Sequence, residues 1–104
     1  MFGRLFGSSA VRQGGDGINT RPDGSTTHLA LYKYDACPYC RRVYRAIDEA
    51  GVNVEYRDIQ TDYAHRKALV ERTGRSTVPC LFIDDEPMFE SAEIAYWLRE
   101  QFGT

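Results

Sequence analysis

Two cysteines stand two residues apart in Cys37-Pro38-Tyr39-Cys40. The apolar run Leu29 to Tyr34 precedes them and a helical pattern beginning at Arg41 follows, which sets the pair at a strand-to-helix junction. A helix N-terminus leaves backbone N–H groups without partners and carries positive potential, so a thiol placed there is favoured as thiolate. Thiolates are the attacking species in thiol-disulfide exchange, and the spacing therefore predicts a redox site. Pro38 suits the first helical turn, because its missing N–H has no helical partner to lose and its fixed φ is already helical. A zinc site is not indicated: one Cys-x-x-Cys supplies two ligands, and neither a second pair nor a spaced His pair completes four.

The elements that must hold this pair follow from composition and pattern. With 104 residues, 42% of them hydrophobic and 27% charged, the chain fits one small domain with an ordinary core. A net charge of -2 gives no general attraction to nucleic acid phosphates, and no run reaches the roughly 20 apolar residues of a membrane span. Met1 to Gly7 lacks the continuous apolar stretch of a secretory signal, so a cytoplasmic, reducing setting is expected, in which such a cysteine pair is catalytic or metal-binding rather than a staple. Six of the nine glycines fall within the first 27 residues among Ser, Thr, Asn and Asp, and residues 1–27 are accordingly expected to form a flexible tail ahead of a domain at 28–104.

From His28 onward strands and helices alternate. Leu29 to Tyr34 is predicted as a strand, Arg41 to Ala50 as a helix stopped by Gly51, and Val52, Val54 and Tyr56 as an alternating second strand. A second helix is expected from about Asp62 to Thr73, capped by Thr61, with Leu69 and Val70 inward and Gly74 past its end. Leu81 to Ile83 reads as a strand buried on both faces, Asp84 to Glu86 as a turn, and Pro87 to Phe89 as a short strand. Ser91 is expected to cap a last helix carrying Ile94, Trp97, Leu98 and Phe102 at helical spacing.

The order β-α-β-α-β-β-α, together with Cys37-Pro38-Tyr39-Cys40 and Thr77-Val78-Pro79 at the start of a strand some forty residues later, resembles the glutaredoxins over residues 29 to 102. That resemblance implies an α/β thioredoxin fold with a central four-stranded mixed sheet flanked by helices. It also implies a cis Val78–Pro79 bond, with the Val78 backbone pairing with the cysteinyl part of glutathione beside Cys37. Cys37, near the helix N-cap with its sulfur exposed, is then the nucleophile, and Cys40, one turn in and more shielded, the resolving thiol. The implied activity is glutathione-dependent thiol-disulfide exchange on protein-glutathione mixed disulfides and protein disulfides, with glutathione as co-substrate and the chain acting as a monomer.

Glutathione carries two carboxylates and one ammonium. Tyr39 flanks the glutathione groove in the family, and Lys33 and Arg75 are the cations expected to meet the glycyl carboxylate. The usual family lysine stands three residues before the first cysteine, where this chain has Tyr34, with Lys33 one further back. Ahead of the last helix, Glu90-Ser91 replaces the common Gly-Gly-Cys-Asp-Asp pattern and resembles the N-terminal domain of glutathione transferases. By that likeness Glu90 meets the γ-glutamyl ammonium, while Ser91 and the N–H groups at the helix start hold its carboxylate. Two alternatives stay open: a glutathione-ligated [2Fe-2S] carrier, whose family members commonly have Gly or Ser where Pro38 stands, and a glutathione-transferase-like binding module. Cys80 reads as a small strand residue, with a regulatory disulfide left open by its position after Pro79.

Overall fold

The computed structural model of the chain describes residues 14–103. Its elements are β1 (Ile18–Thr20), β2 (Thr26–Lys33), α1 (Pro38–Ala50), β3 (Glu55–Asp58), α2 (Tyr63–Thr73), β4 (Cys80–Ile83), β5 (Glu86–Phe89) and α3 (Ser91–Phe102). From β2 onward this is the expected β-α-β-α-β-β-α order. β2 pairs parallel with β3 and antiparallel with β4, and β4 pairs antiparallel with β5, so these strands form the four-stranded mixed arrangement of a thioredoxin fold, to which β1 adds a fifth strand. Parallel pairing of β2 with β3 requires a crossover, and α1 supplies it.

Side-chain alternation in the sheet creates two cores. Leu29 and Leu31 of β2 and Leu81 of β4 join Cys40, Val43, Ala46 and Ile47 of α1 and Ile94, Ala95 and Leu98 of α3. Ala30 and Tyr32 of β2 and Cys80 and Phe82 of β4 face the other way, toward Leu69 of α2. Each fully buried leucine contributes about 1.5–3 kcal/mol relative to exposure. α1 begins earlier than predicted, at Pro38, and ends where Gly51 adopts φ 67, a left-handed conformation that a side chain disfavours. The β4–β5 connection is a two-residue loop of Asp84 and Asp85 with φ values of 48 and 71, the left-handed pair that such a hairpin needs. The Asp84 carboxylate accepts hydrogen bonds from the His28 N–H (2.8 Å) and the Thr27 hydroxyl (2.7 Å), tying this loop to the start of β2.

Several boundaries differ from the sequence prediction. Residues 14–27 are not a tail, because β1 pairs antiparallel with the first residues of β2, Ile18 opposite His28. The glycines that read as flexibility permit close approach instead: a Cβ on Gly17 (φ 79) would strike the Leu29 carbonyl, and the Leu29 N–H donates to Gly17 O at 2.9 Å. The rest of the expected tail, residues 1–13, lies outside the described residues. α2 is capped by Asp62 rather than Thr61, its Oδ1 accepting from the Ala64 N–H at 2.9 Å. Val70, expected inward, is exposed, and Leu69 is the one buried residue of α2. Val52 and Val54 precede β3 rather than belonging to it. Among the described residues no helix is long and apolar enough to cross a membrane.

Candidate active site

Cys37 is the N-cap of α1, in extended conformation (φ -75, ψ 119), with Pro38 as the first helical residue. Its N–H donates to Tyr34 O at 3.2 Å and its carbonyl accepts from the Arg41 N–H at 3.1 Å, so the chain turns sharply from β2 into the helix at this residue. No side chain caps α1, which leaves its first N–H groups directed at whatever lies before them. Cys40 follows one turn later on the buried face. All three cysteines are free thiols.

The expectation of an exposed nucleophile needs correction. Cys37 is only 4% exposed, because it packs with Cys40 and Val43 in the α1–α3 core. Cys40 is fully buried, and burial pushes its thiol up to about 12; hydrogen bonding to Cys37 acts in the same direction, while a Tyr34 backbone hydrogen bond and the Lys33 charge oppose it.

Beside this pair runs a groove of about 400 Å³ lined by Tyr39, Arg42, Thr77, Val78, Pro79, Glu90, Ser91 and Ala92. Three segments converge there. α1 contributes Tyr39 and Arg42, which are three residues apart and so share a helix face. The β4 approach contributes Thr77, Val78 and Pro79, and the Val78–Pro79 peptide bond is cis. The start of α3 contributes the last three residues. Here Glu90 rather than Ser91 is the N-cap, and no side chain caps the helix, so Ser91 is the first helical residue and its hydroxyl does not serve the predicted capping role. Glu90 holds φ 76 and ψ 113, a conformation that carries strain of roughly 1–3 kcal/mol in a residue with a side chain.

Six of the predicted site residues other than the cysteines therefore meet in one groove. Two do not line it. Lys33 is fully buried, its Nζ 2.9 Å from Asp35 Oδ1 and 3.2 Å from Asp58 Oδ2 and 5.7 Å from the Tyr56 ring centre. Strand alternation is the cause: residue 33 shares the face of Leu29 and Leu31, beneath α1, so the one-residue offset from the usual lysine turns this one inward. Arg75 is exposed, lays its guanidinium over the Phe89 ring at 3.8 Å and is not among the residues that line the groove. Arg42 was missed by sequence reasoning, although its place one turn after Tyr39 was a usable signal. Cys80 lies on the opposite face of the sheet from Cys37 and Cys40, and burial pushes its thiol up to about 11. Among the described residues no group of three or more His, Cys, Asp or Glu side chains is placed to hold a metal ion.

The glutaredoxin family model matches residues 29–88. The chain belongs to the glutaredoxin family. Its resemblance to glutaredoxin 3 of Escherichia coli is 35% identity over 57 residues, covering 55% of this chain and 69% of that protein. Glutaredoxin-C4 of Arabidopsis thaliana is 29% identical over 83 residues, covering 68% of this chain and 62% of that one. Among solved structures, the Leishmania trimeric glutathione transferase TDR1 superposes with a TM-score of 0.60 at 30% identity, over 69% of this chain and 16% of that one. An epsilon-class glutathione S-transferase from the housefly gives a TM-score of 0.64 at 22% identity, over 73% and 36%. The glutaredoxin chain thus spans a minor part of either transferase, and the likeness to the housefly protein is one of fold. Membership of the family carries a glutathione-dependent thiol redox function in general terms.

Proposed function

We propose that this chain is a glutathione-dependent thiol-disulfide oxidoreductase in which Cys37 is the nucleophile and Cys40 the resolving thiol. The observation that carries the reading is the groove itself, bounded by two uncapped helix N-termini and by the Thr77–Pro79 segment, alongside the thiol pair. Glutathione matches it in chemistry. The α3 N–H groups and Ser91 suit the γ-glutamyl carboxylate, Glu90 suits the neighbouring ammonium, and the Val78 backbone suits strand-like pairing with the cysteinyl unit. Arg42 supplies a cation for a glutathione carboxylate in place of Lys33, whose ammonium is already paired. The 30% identical Leishmania protein is a glutathione transferase, which also favours glutathione as the ligand.

In the reaction proposed, the Cys37 thiolate attacks the glutathione sulfur of a protein-glutathione mixed disulfide. The Cys37–glutathione bond forms, the protein thiolate leaves and takes up a proton, and a second glutathione thiolate then displaces Cys37, giving oxidised glutathione. For protein disulfides, Cys40 attacks Cys37 and releases the reduced target. Cys37→Ser is expected to abolish deglutathionylation, whereas Cys40→Ser retains it and loses reduction of protein disulfides. Equal loss in both variants would remove the assignment of roles.

A further inference from the structure

Glu90 holds φ 76, which a residue with a side chain keeps only where its surroundings dictate it. On its C-terminal side the restraint is the helix: Ser91 is buried, and the Glu90 carbonyl accepts from the Ile94 N–H at 3.0 Å. On its N-terminal side stands Phe89, the last residue of β5, and β5 is an edge strand paired with β4 alone among the described residues. The far edge of β5 therefore gives Phe89 no ladder to hold it. Arg75 supplies a second anchor. Its guanidinium lies 3.8 Å from the Phe89 ring centre, and its N–H donates to Thr73 Oγ1 at 3.3 Å, which fixes Arg75 to the end of α2. The stack thus joins the stretch before Thr77-Val78-Pro79 to the stretch before Glu90-Ser91, two of the three groove walls, without lining the groove itself. Arg72 makes the corresponding link at the other end of the β4–β5 hairpin, where its Nη2 donates to Asp85 O at 3.1 Å and its guanidinium lies over the Phe82 ring at 5.0 Å. That end contributes no residue to the groove.

We propose that Arg75, acting through Phe89, is a positioning residue that holds Glu90 in the conformation which meets the γ-glutamyl end of glutathione. This rests on glutathione being the ligand of the groove. Arg75 is thereby assigned to the opposite end of the tripeptide from the glycyl carboxylate that its charge alone would suggest. Phe89 carries the effect because its backbone leads directly into Glu90, and its ring is held between the guanidinium and the core of Ala30, Tyr32, Leu69, Cys80 and Phe82. Freed from Arg75, the end of β5 relaxes, and Glu90 leaves its disfavoured dihedrals for ones that turn its carboxylate from the groove.

Two thioethers that cannot exchange with Cys37, S-methylglutathione and S-methyl-γ-glutamylcysteine, differ only in the glycine and separate the two roles in calorimetric titration of the reduced protein. Arg75→Ala is expected to weaken both by the same factor, about two- to fivefold, the worth of one exposed cation–aromatic contact. A loss confined to S-methylglutathione would mean direct contact with the glycyl carboxylate and would overturn the proposal, as would no loss. Phe89→Leu should weaken both ligands alike, and adding Arg75→Ala to it should cost nothing more, whereas additive losses would break the link through Phe89. Arg72→Ala, which loosens the far end of the hairpin, is expected to lower the thermal unfolding midpoint with both affinities unchanged. A matching loss of affinity there would reduce the Arg75 effect to general hairpin stability and overturn its positioning role. If Phe89→Leu does not fold, the comparison of Arg75→Ala with Arg72→Ala decides alone. Failure of the unaltered protein to bind S-methylglutathione would instead defeat the choice of ligand, so the two readings fail separately.

Discussion

The three helices among the described residues begin in two different ways. α2 starts at Asp62, whose carboxylate accepts from the Ala64 N–H at 2.9 Å, and this start does not line the groove beside the thiols. α1 and α3 start at Cys37 and Glu90 with no side-chain cap, and the residues at both starts adjoin the same groove. A cap satisfies a helix locally and stabilises it by about 1 kcal/mol. Leaving it out forgoes that stability and keeps the N–H groups and their positive potential for something outside the chain. The cysteines repeat the contrast: Cys40 and Cys80 are equally buried, yet Cys40 shares a core with a second thiol and a buried ammonium nearby, whereas Cys80 packs among Ala30, Tyr32 and Phe82.

The contrast is tested most severely at the uncapped start of α3. Glu90→Gly replaces a residue at φ 76 by one that adopts this conformation freely, so the unfolding free energy should rise by about 1 kcal/mol. The same change removes the carboxylate proposed to meet the γ-glutamyl ammonium, so affinity for glutathione should fall about tenfold. Urea unfolding and titration calorimetry on one preparation read both effects. Higher stability with unchanged affinity would detach Glu90 from the ligand; unchanged stability would mean that its backbone is not strained.

At α2 the reverse is expected. Asp62→Ala removes the cap and should lower the unfolding free energy by about 1 kcal/mol, with glutathione affinity unaltered within error. Weaker binding in this variant would erase the distinction between a helix start serving the fold and one serving a ligand.

What could be read in advance follows the same division between local and distant. Cys37 to Cys40, Thr77 to Pro79 and Glu90-Ser91 are short contiguous segments, and each was legible because its neighbours in sequence are its neighbours in space. Lys33 was not, because its orientation depends on β2 register and its partner Asp58 lies 25 residues away. β1 was hidden for a related reason: glycine at residues 14, 15 and 17 has the composition of a linker, and it takes groups distant in sequence, the Val54 carbonyl and Tyr56 ring at Gly14 and the Leu29 carbonyl at Gly17, to show why side chains are excluded there. The caps of α2 and α3 were each misassigned by one residue, since Thr61 and Asp62, or Glu90 and Ser91, are separated only by backbone dihedrals that composition does not record.

Arg42 provides the finest discrimination between the two kinds of helix start, because it is an exposed cation on α1 that lines the groove and is proposed to meet a glutathione carboxylate there. An exposed ion pair contributes about 0.2–1 kcal/mol, so Arg42→Ala should weaken glutathione binding by less than about fivefold. The loss should shrink further in 0.5 M salt, where the Debye length falls to about 4–5 Å and a surface pair is screened. Lys33 cannot substitute in that variant, since its ammonium is held by Asp35 and Asp58 below the sheet end. Calorimetric titrations at low and high salt therefore separate the two cations. A loss that persists in salt would show Arg42 shaping the groove rather than supplying charge, and no loss at all would leave the uncapped N-termini of α1 and α3 as the main source of positive potential for glutathione's carboxylates.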